Sequence, residues 1–178
     1  MNPVIVSNPK FDLSFKIVLE HEGGYSDNPV DHGGATNYGV TQDTYNAYRV
    51  YKGLPLQPVK FITQDEVKET YHHFYWQPGK CEKLPSPVFV VHFDSCINHG
   101  VRRAALLLQK TAGVSPDGII GPKTIKATLK DPLMFAKDYI KQRRNFYRNI
   151  VIQDSSQCIF LSGWLNRMNN LDKKITKL

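Results

Sequence analysis

Two carboxylic acids stand nine positions apart in the stretch "EGGYSDNPVD", Glu22 at its start and Asp31 at its end. They sit in different settings. Glu22 closes an apolar helical stripe: at roughly 100° per residue it falls about 20° from Phe11 around the axis, whereas Glu20 points to the opposite side. A carboxyl at the edge of an apolar stripe is partly desolvated, and a helix C-terminus disfavours negative charge. Both effects favour the protonated form, which a general acid needs. Asp31 lies in a polar, glycine-rich loop, where a solvated carboxylate stays ionised. An acid with a carboxylate is the pair that breaks glycosidic bonds. One protonates the leaving oxygen; the other positions a water or stabilises positive charge at the anomeric carbon. Thr36 offers a hydroxyl to orient a water beside Asp31, and Tyr25 and Tyr38 flank the acids with faces for a sugar ring. Each has a plainer reading as well: Glu22 as partner of an Arg or a loop amide, Asp31 as an Asx-turn residue, Thr36 as a satisfied loop hydroxyl. Asp27 competes with Asp31 for the second carboxylate. Asp43 is better explained as a first-turn helix acid.

The elements that must hold these residues are mostly helices. Phe11, Phe15, Val18 and Glu22 share one face, which predicts a helix over 11–22 stopped by Gly23 and Gly24. Residues 25–40 read as loop or short strand. Thr41 is placed to N-cap a helix over "QDTYNAYRVY", and "TQDE" at 63–66 is a capping box that opens a helix through "VKETYHHFYW". "VFVVHFDSCINHG" (88–100) reads as a buried helix and "VRRAALLLQKTAG" as another, ended by Gly113. "SPDGIIGPKT" is a turn with Pro122 at the first helical position. Asp131-Pro132 opens a long helix over 132–151, and apolar spacing from Phe160 to Ile175 predicts a last one. The expected fold is mainly α with a small loop/β region around the acids, in two lobes: a catalytic lobe over 11–95 and a helical lobe over 96–178.

The 178 residues suffice for one domain or one domain with two lobes. No apolar run approaches the roughly 18 residues that span a bilayer. Cys81, Cys96 and Cys158 form neither a metal knuckle nor a disulfide framework, so no metal or cofactor is expected. His72 and His73 point to different helix faces, which argues against a two-histidine metal site. Their aromatic neighbours read as core, or as a sugar-stacking wall. His92 and His99 read as structural. The net charge of +7 is uneven: residues 1–122 hold 11 Lys+Arg against 12 Asp+Glu, and residues 123–178 hold 12 against 4. Such a basic third suits an anionic partner, whether nucleic acid, a membrane surface or a wall polymer, or forms ordinary solvated helix faces. Lys137, Lys141, Arg144 and Arg148 share one helical face.

"EHEGGYSDNPVDHGGATNYGVT" resembles the N-terminal motif of glycoside hydrolase family 108, the phage-type muramidases, with His32 where that family usually has Pro. "INHGVRRAALLLQKTAGVSPDGIIGPKTIKA" resembles the predicted peptidoglycan-binding module that accompanies it, through Asn98, Gly100, Leu108, Gln109 and the run from Asp117 to Thr124. The resemblance implies a lysozyme-like fold with Glu22 as the catalytic acid. A further likeness to the glutamate–aspartate–threonine arrangement of T4-type phage lysozymes implies supporting roles for Asp31 and Thr36. The implied activity is an endo-acting N-acetylmuramidase that cleaves the β-1,4 bond between N-acetylmuramic acid and N-acetylglucosamine, without a cofactor. The expected partners are peptidoglycan and, through the basic C-terminal helices, an anionic envelope surface. A monomer is expected and a nucleic acid is not. The opening residues carry no charged segment followed by a long apolar one, so synthesis without a signal peptide is expected. Release through a holin-type pore, as for a phage or prophage endolysin, or by injection would bring the chain to the wall. The rival readings are a lytic transglycosylase, a non-catalytic wall binder, which the presence of Glu22 disfavours, and a basic nucleic-acid binder.

Overall fold

A computed structural model describes residues 8–20, 22–27 and 34–178. The chain forms two compact units, residues 1–74 and 75–178.

In the first unit, α1 (Pro9–Leu19) starts where the Asn8 side chain accepts from the Lys10 and Phe11 amides. It ends three residues earlier than its apolar stripe predicts. Glu20 is its C-cap, and the Glu22 amide donates to the Leu19 carbonyl (3.1 Å) in a turn beyond the helix. The stripe continues past the last helical bond because the chain turns before it leaves the core face. Strands β1 (Thr36–Asn37) and β2 (Val40–Thr41) pair antiparallel, Thr36 opposite Thr41 and Asn37 opposite Val40. The two-residue loop between them, Tyr38-Gly39, has φ of 49° and 74°. Positive φ at both positions is the hairpin turn whose twist suits its strands. Ser26 extends this small sheet, with its amide and carbonyl bonded to Thr36 (2.9 and 2.8 Å). Asn37 Nδ2 donates to the Val59 and Lys60 carbonyls (3.3 and 3.1 Å) and ties the hairpin to a 3-10 turn over Val59–Phe61.

Helix α2 (Gln42–Tyr51) is capped by Thr41, and α3 (Gln64–Tyr71) by the reciprocal capping box of Thr63 and Glu66. Asp43 lies in the first turn of α2, as its sequence position suggests. The two helices are tied by Glu66, which takes Arg49 (2.8 Å) and the Tyr45 hydroxyl (2.9 Å). Burial opposes ionisation of Glu66, but the Thr63 amide, Tyr45 and Arg49 outweigh it and hold the carboxyl below its usual range. Phe11, Val18, Tyr45, Val59, Val67 and Tyr71 form the core of this unit.

The second unit is helical. A π-turn over His72–Trp76 leads out of α3, and Lys80 takes a left-handed conformation (φ 51°) before a 3-10 turn at Cys81–Lys83. There follow α4 (Val88–His99), α5 (Val101–Thr111), α6 (Pro122–Ala127), α7 (Pro132–Gln153) and α8 (Cys158–Ile175). Pro122 and Pro132 both occupy first-turn positions, and Asp131 caps α7 by accepting from the Met134 amide (3.0 Å). Helices α4, α7 and α8 are joined by a buried ion cluster. Asp94 takes Arg143 (2.7 Å) through one oxygen and Arg167 (2.7 Å) through the other. Burial alone would keep Asp94 neutral; the two guanidiniums overcome that and lower its carboxyl to about 2. The mainly α architecture with one small sheet agrees with the expectation from sequence.

Candidate active site

The Glu22 carboxyl is half-buried at the end of the turn that follows α1. It lines a small pocket of about 150 Å³ with Phe15, Leu19, Tyr38, Gln64 and Val67. Phe15 and Leu19 come from α1, Gln64 and Val67 from α3, and Tyr38 from the hairpin turn. Three apolar side chains thus stand beside one acid and one amide.

Gly39 fixes how closely the hairpin approaches this acid. A Cβ at Gly39 would lie 2.5 Å from Glu22 Oε2, 2.8 Å from its Cδ and 2.5 Å from the Tyr71 hydroxyl. No side chain fits there, and the φ of 74° also favours glycine. The Tyr71 hydroxyl donates to the Tyr38 carbonyl (2.9 Å), so the buried Tyr71 holds the turn against the pocket. Its ring packs edge-on against Phe15 at 5.7 Å. The chain's close approach to Glu22 therefore depends on a glycine, a buried phenol and the positive-φ turn together.

The other residues singled out by sequence fall into two groups. Glu22 and Tyr38 line one pocket. Thr36 lies on the adjoining sheet and is half-buried, and Tyr25 directly precedes Ser26 of that sheet and is exposed. The Tyr25 hydroxyl donates to Asp27 (3.3 Å), and Lys60 sits over its ring at 5.7 Å. Asp31 lies outside the described residues. His72 meets Phe11 edge-on at 4.9 Å and His73 stacks on Tyr51 at 3.9 Å, so the adjacent histidines do face different neighbours. Gly39, Tyr71, Gln64 and Val67 were not read from the sequence. The N-Y-G-V hairpin spacing was the available signal for Gly39. Tyr71 has none, because its partner lies 33 positions away.

The Glycosyl hydrolase 108 family model matches residues 15–100, the segment that carries this pocket. The chain is a glycoside hydrolase. A second family model, the Predicted Peptidoglycan domain, follows over residues 103–169. Together they give a hydrolase that degrades peptidoglycan and has peptidoglycan as its partner. Among solved structures it is similar to that of Brucella abortus SagA, with 28% identity, 96% of each chain covered and a TM-score of 0.80. No curated protein matches it.

In the second half of the hydrolase, the residues that carry the wall-module resemblance are occupied structurally. Gln109 Nε2 donates to Asp117 (2.7 Å) and to the Ile119 carbonyl (3.0 Å), while its Oε1 accepts the Gly118 amide (2.8 Å). One buried amide thereby locks the turn that leads into α6. Asn98 donates to the Asp94 carbonyl (2.7 Å). His99 accepts from Arg143 Nε (3.3 Å); burial first, then Arg143, push its imidazole down to about 3 and keep it neutral. Among the described residues, no helix of the hydrolase is long and apolar enough to cross a membrane.

Proposed function

We propose that the hydrolase is an endo-acting N-acetylmuramidase in which Glu22 protonates the glycosidic oxygen between N-acetylmuramic acid and N-acetylglucosamine. The observation that carries this reading is the position of the Glu22 carboxyl. It is half-buried between apolar walls, in contact range of a glycine whose replacement would displace it. General acid catalysis needs a carboxyl held in a fixed position. Phe15, Leu19 and Val67 line the pocket beside it, and Gly39 and Tyr71 bound it on the hairpin side.

Asp31 serves as the second carboxylate and Thr36 orients the water, with Tyr38 at the pocket and Tyr25 beside it contacting the sugar. Residues 11–95 carry the catalysis and 96–178 the wall-binding lobe, which makes peptidoglycan both substrate and anchor. Lys137 and Lys141 on α7 add attraction to an anionic envelope surface. This set of features fits a phage or prophage endolysin acting as a monomer, without cofactor, on the wall after release. Lysis of purified peptidoglycan by the Glu22→Gln and Glu20→Gln variants tests the assignment. Glu20 is exposed and caps α1, so its amide variant should lyse like wild type. Glu22→Gln should retain on the order of 10⁻² of the activity or less, the usual worth of a general acid.

A further inference from the structure

Three buried side chains of the second unit converge far along the chain from Glu22. Cys81 Sγ, His92 and Cys96 Sγ offer ligand atoms that all lie within 4.8 Å of one another, and each residue is fully buried. We propose that Cys81, His92 and Cys96 form a structural zinc site, with the Gly79 carbonyl oxygen as its fourth donor.

Four observations converge on it. The first is spacing in space. Zn–S bonds of about 2.3 Å and Zn–N bonds of about 2.0–2.1 Å in a tetrahedron set a sulfur-to-nitrogen edge of about 3.5 Å. Cys96 Sγ and His92 Nε2 lie 3.5 Å apart. The second is the hydrogen-bond inventory of His92. The Tyr139 hydroxyl has one proton, and it donates that proton to the Ala104 carbonyl (2.8 Å). Nδ1 of His92, 3.1 Å from the same hydroxyl, must therefore donate to it. In the neutral ring Nε2 is then a bare lone pair, yet it faces the Gly79 carbonyl oxygen at 3.0 Å. Two lone pairs at that distance repel unless a proton, as on an imidazolium, or a metal ion lies between them, and two neighbouring cysteine sulfurs favour the ion. A ligating histidine whose other nitrogen donates to a fixed acceptor is the usual arrangement at metal centres. The third is Gly79 itself. A Cβ there would lie 2.8 Å from Cys96 Sγ and 3.1 Å from Cys81 Sγ, so the glycine leaves room for the two sulfurs. The fourth is backbone. A π-turn at His72–Trp76 and left-handed Lys80 bracket Gly79, conformations that concentrate where a chain is held to a purpose.

Two thiolates with an imidazole select zinc among common divalent ions. Each thiol loses its proton to solvent as its Zn–S bond forms, so binding releases protons and weakens in acid. The ion would pin the 79–81 segment to α4, the helix that also carries Asp94. Since the ligands are buried, uptake accompanies folding.

The test refolds the full chain under reducing conditions with zinc or cobalt, then removes unbound ion. The expected result is one zinc per chain by native mass spectrometry and, with cobalt, a thiolate-to-metal charge-transfer band. Cys158→Ser, an exposed thiol outside the set, should keep both. Cys81→Ala and Cys96→Ala should lose the band, and Tyr139→Phe should weaken metal affinity about 10–100-fold. Three results would overturn the site: wild type that retains no ion, a cobalt band that survives in both alanine variants, or a Cys81–Cys96 disulfide in the protein as expressed. The wild-type measurement decides by itself should a variant fail to fold.

Discussion

Replacing Gly39 with Ala should separate the position of the Glu22 carboxyl from the stability of the fold. Two costs are added at once. Left-handed backbone burdens a residue bearing a Cβ by about 1–2 kcal/mol. The new methyl would also meet Glu22 Oε2 and the Tyr71 hydroxyl at 2.5 Å. Ordinary non-bonded separations of about 3.5 Å then require the carboxyl, the phenol or the turn to retreat by about 1 Å. A displacement of that size at a reacting group costs on the order of 100-fold in rate. Gly53 supplies the control. Its φ is 66°, close to the 74° of Gly39, and a Cβ there meets nothing within 4 Å. Gly53→Ala should therefore carry only the backbone part of the stability loss, a few degrees in Tm, without the loss of activity. The assay is clearing of a peptidoglycan suspension at a temperature where both variants are folded, with melting followed by circular dichroism. Equal activities in the two variants would refute the argument that Gly39 sets the position of Glu22.

Asp31→Asn should lose much of the activity and Asp27→Asn far less, since Asp27 is taken up by the Tyr25 hydroxyl; equal losses in the clearing assay would remove Asp31 as the second carboxylate. The buried Asp94, held at about 2 against an ordinary 3.8, stabilises the fold fully above about pH 4, and that contribution drains away as pH falls towards 2. The shift corresponds to about 2 kcal/mol, and urea unfolding of wild type across that range should show it. Asp94→Asn removes the carboxylate that Arg143 and Arg167 share and should cost about 3–5 kcal/mol at neutral pH. Replacing Lys137, Lys141, Arg144 and Arg148 with Gln should weaken co-sedimentation with walls and flatten its salt dependence, while turnover of a short soluble wall oligosaccharide stays unchanged. Most of that effect should trace to the lysines and Arg148, because Arg144 already pairs with Asp172 on α8 (3.3 Å).

Elements whose cause is local were legible in the sequence. Thr41, the Thr63–Glu66 box, Pro122 and Asp131-Pro132 each act within a turn of themselves, and each stands where its spacing put it. The end of α1 was less legible, because an apolar stripe reports which face is buried and not where the last helical hydrogen bond falls. Glu22 lies on that face but beyond the helix. The start of α8 at Cys158, ahead of the apolar spacing that begins at Phe160, has the same origin. What tertiary contact alone decides stayed hidden: the Tyr71–Tyr38 bond across 33 positions, the Gly39 approach to Glu22 and the convergence of Cys81, His92 and Cys96. The pairing of Arg144 with Asp172 belongs there too, since helical periodicity groups cations on a face without saying what packs against it.

The central claim, that Glu22 drives hydrolysis by a muramidase mechanism, is tested most directly by mass spectrometry of the sugars released from peptidoglycan. Digestion by wild type should yield fragments with a reducing N-acetylmuramic acid end, each carrying one added water, and Glu22→Gln should release almost none. Fragments ending in anhydro-muramic acid would make the enzyme a lytic transglycosylase, and fragments ending in reducing N-acetylglucosamine would place the cut at the other linkage; either product contradicts the account.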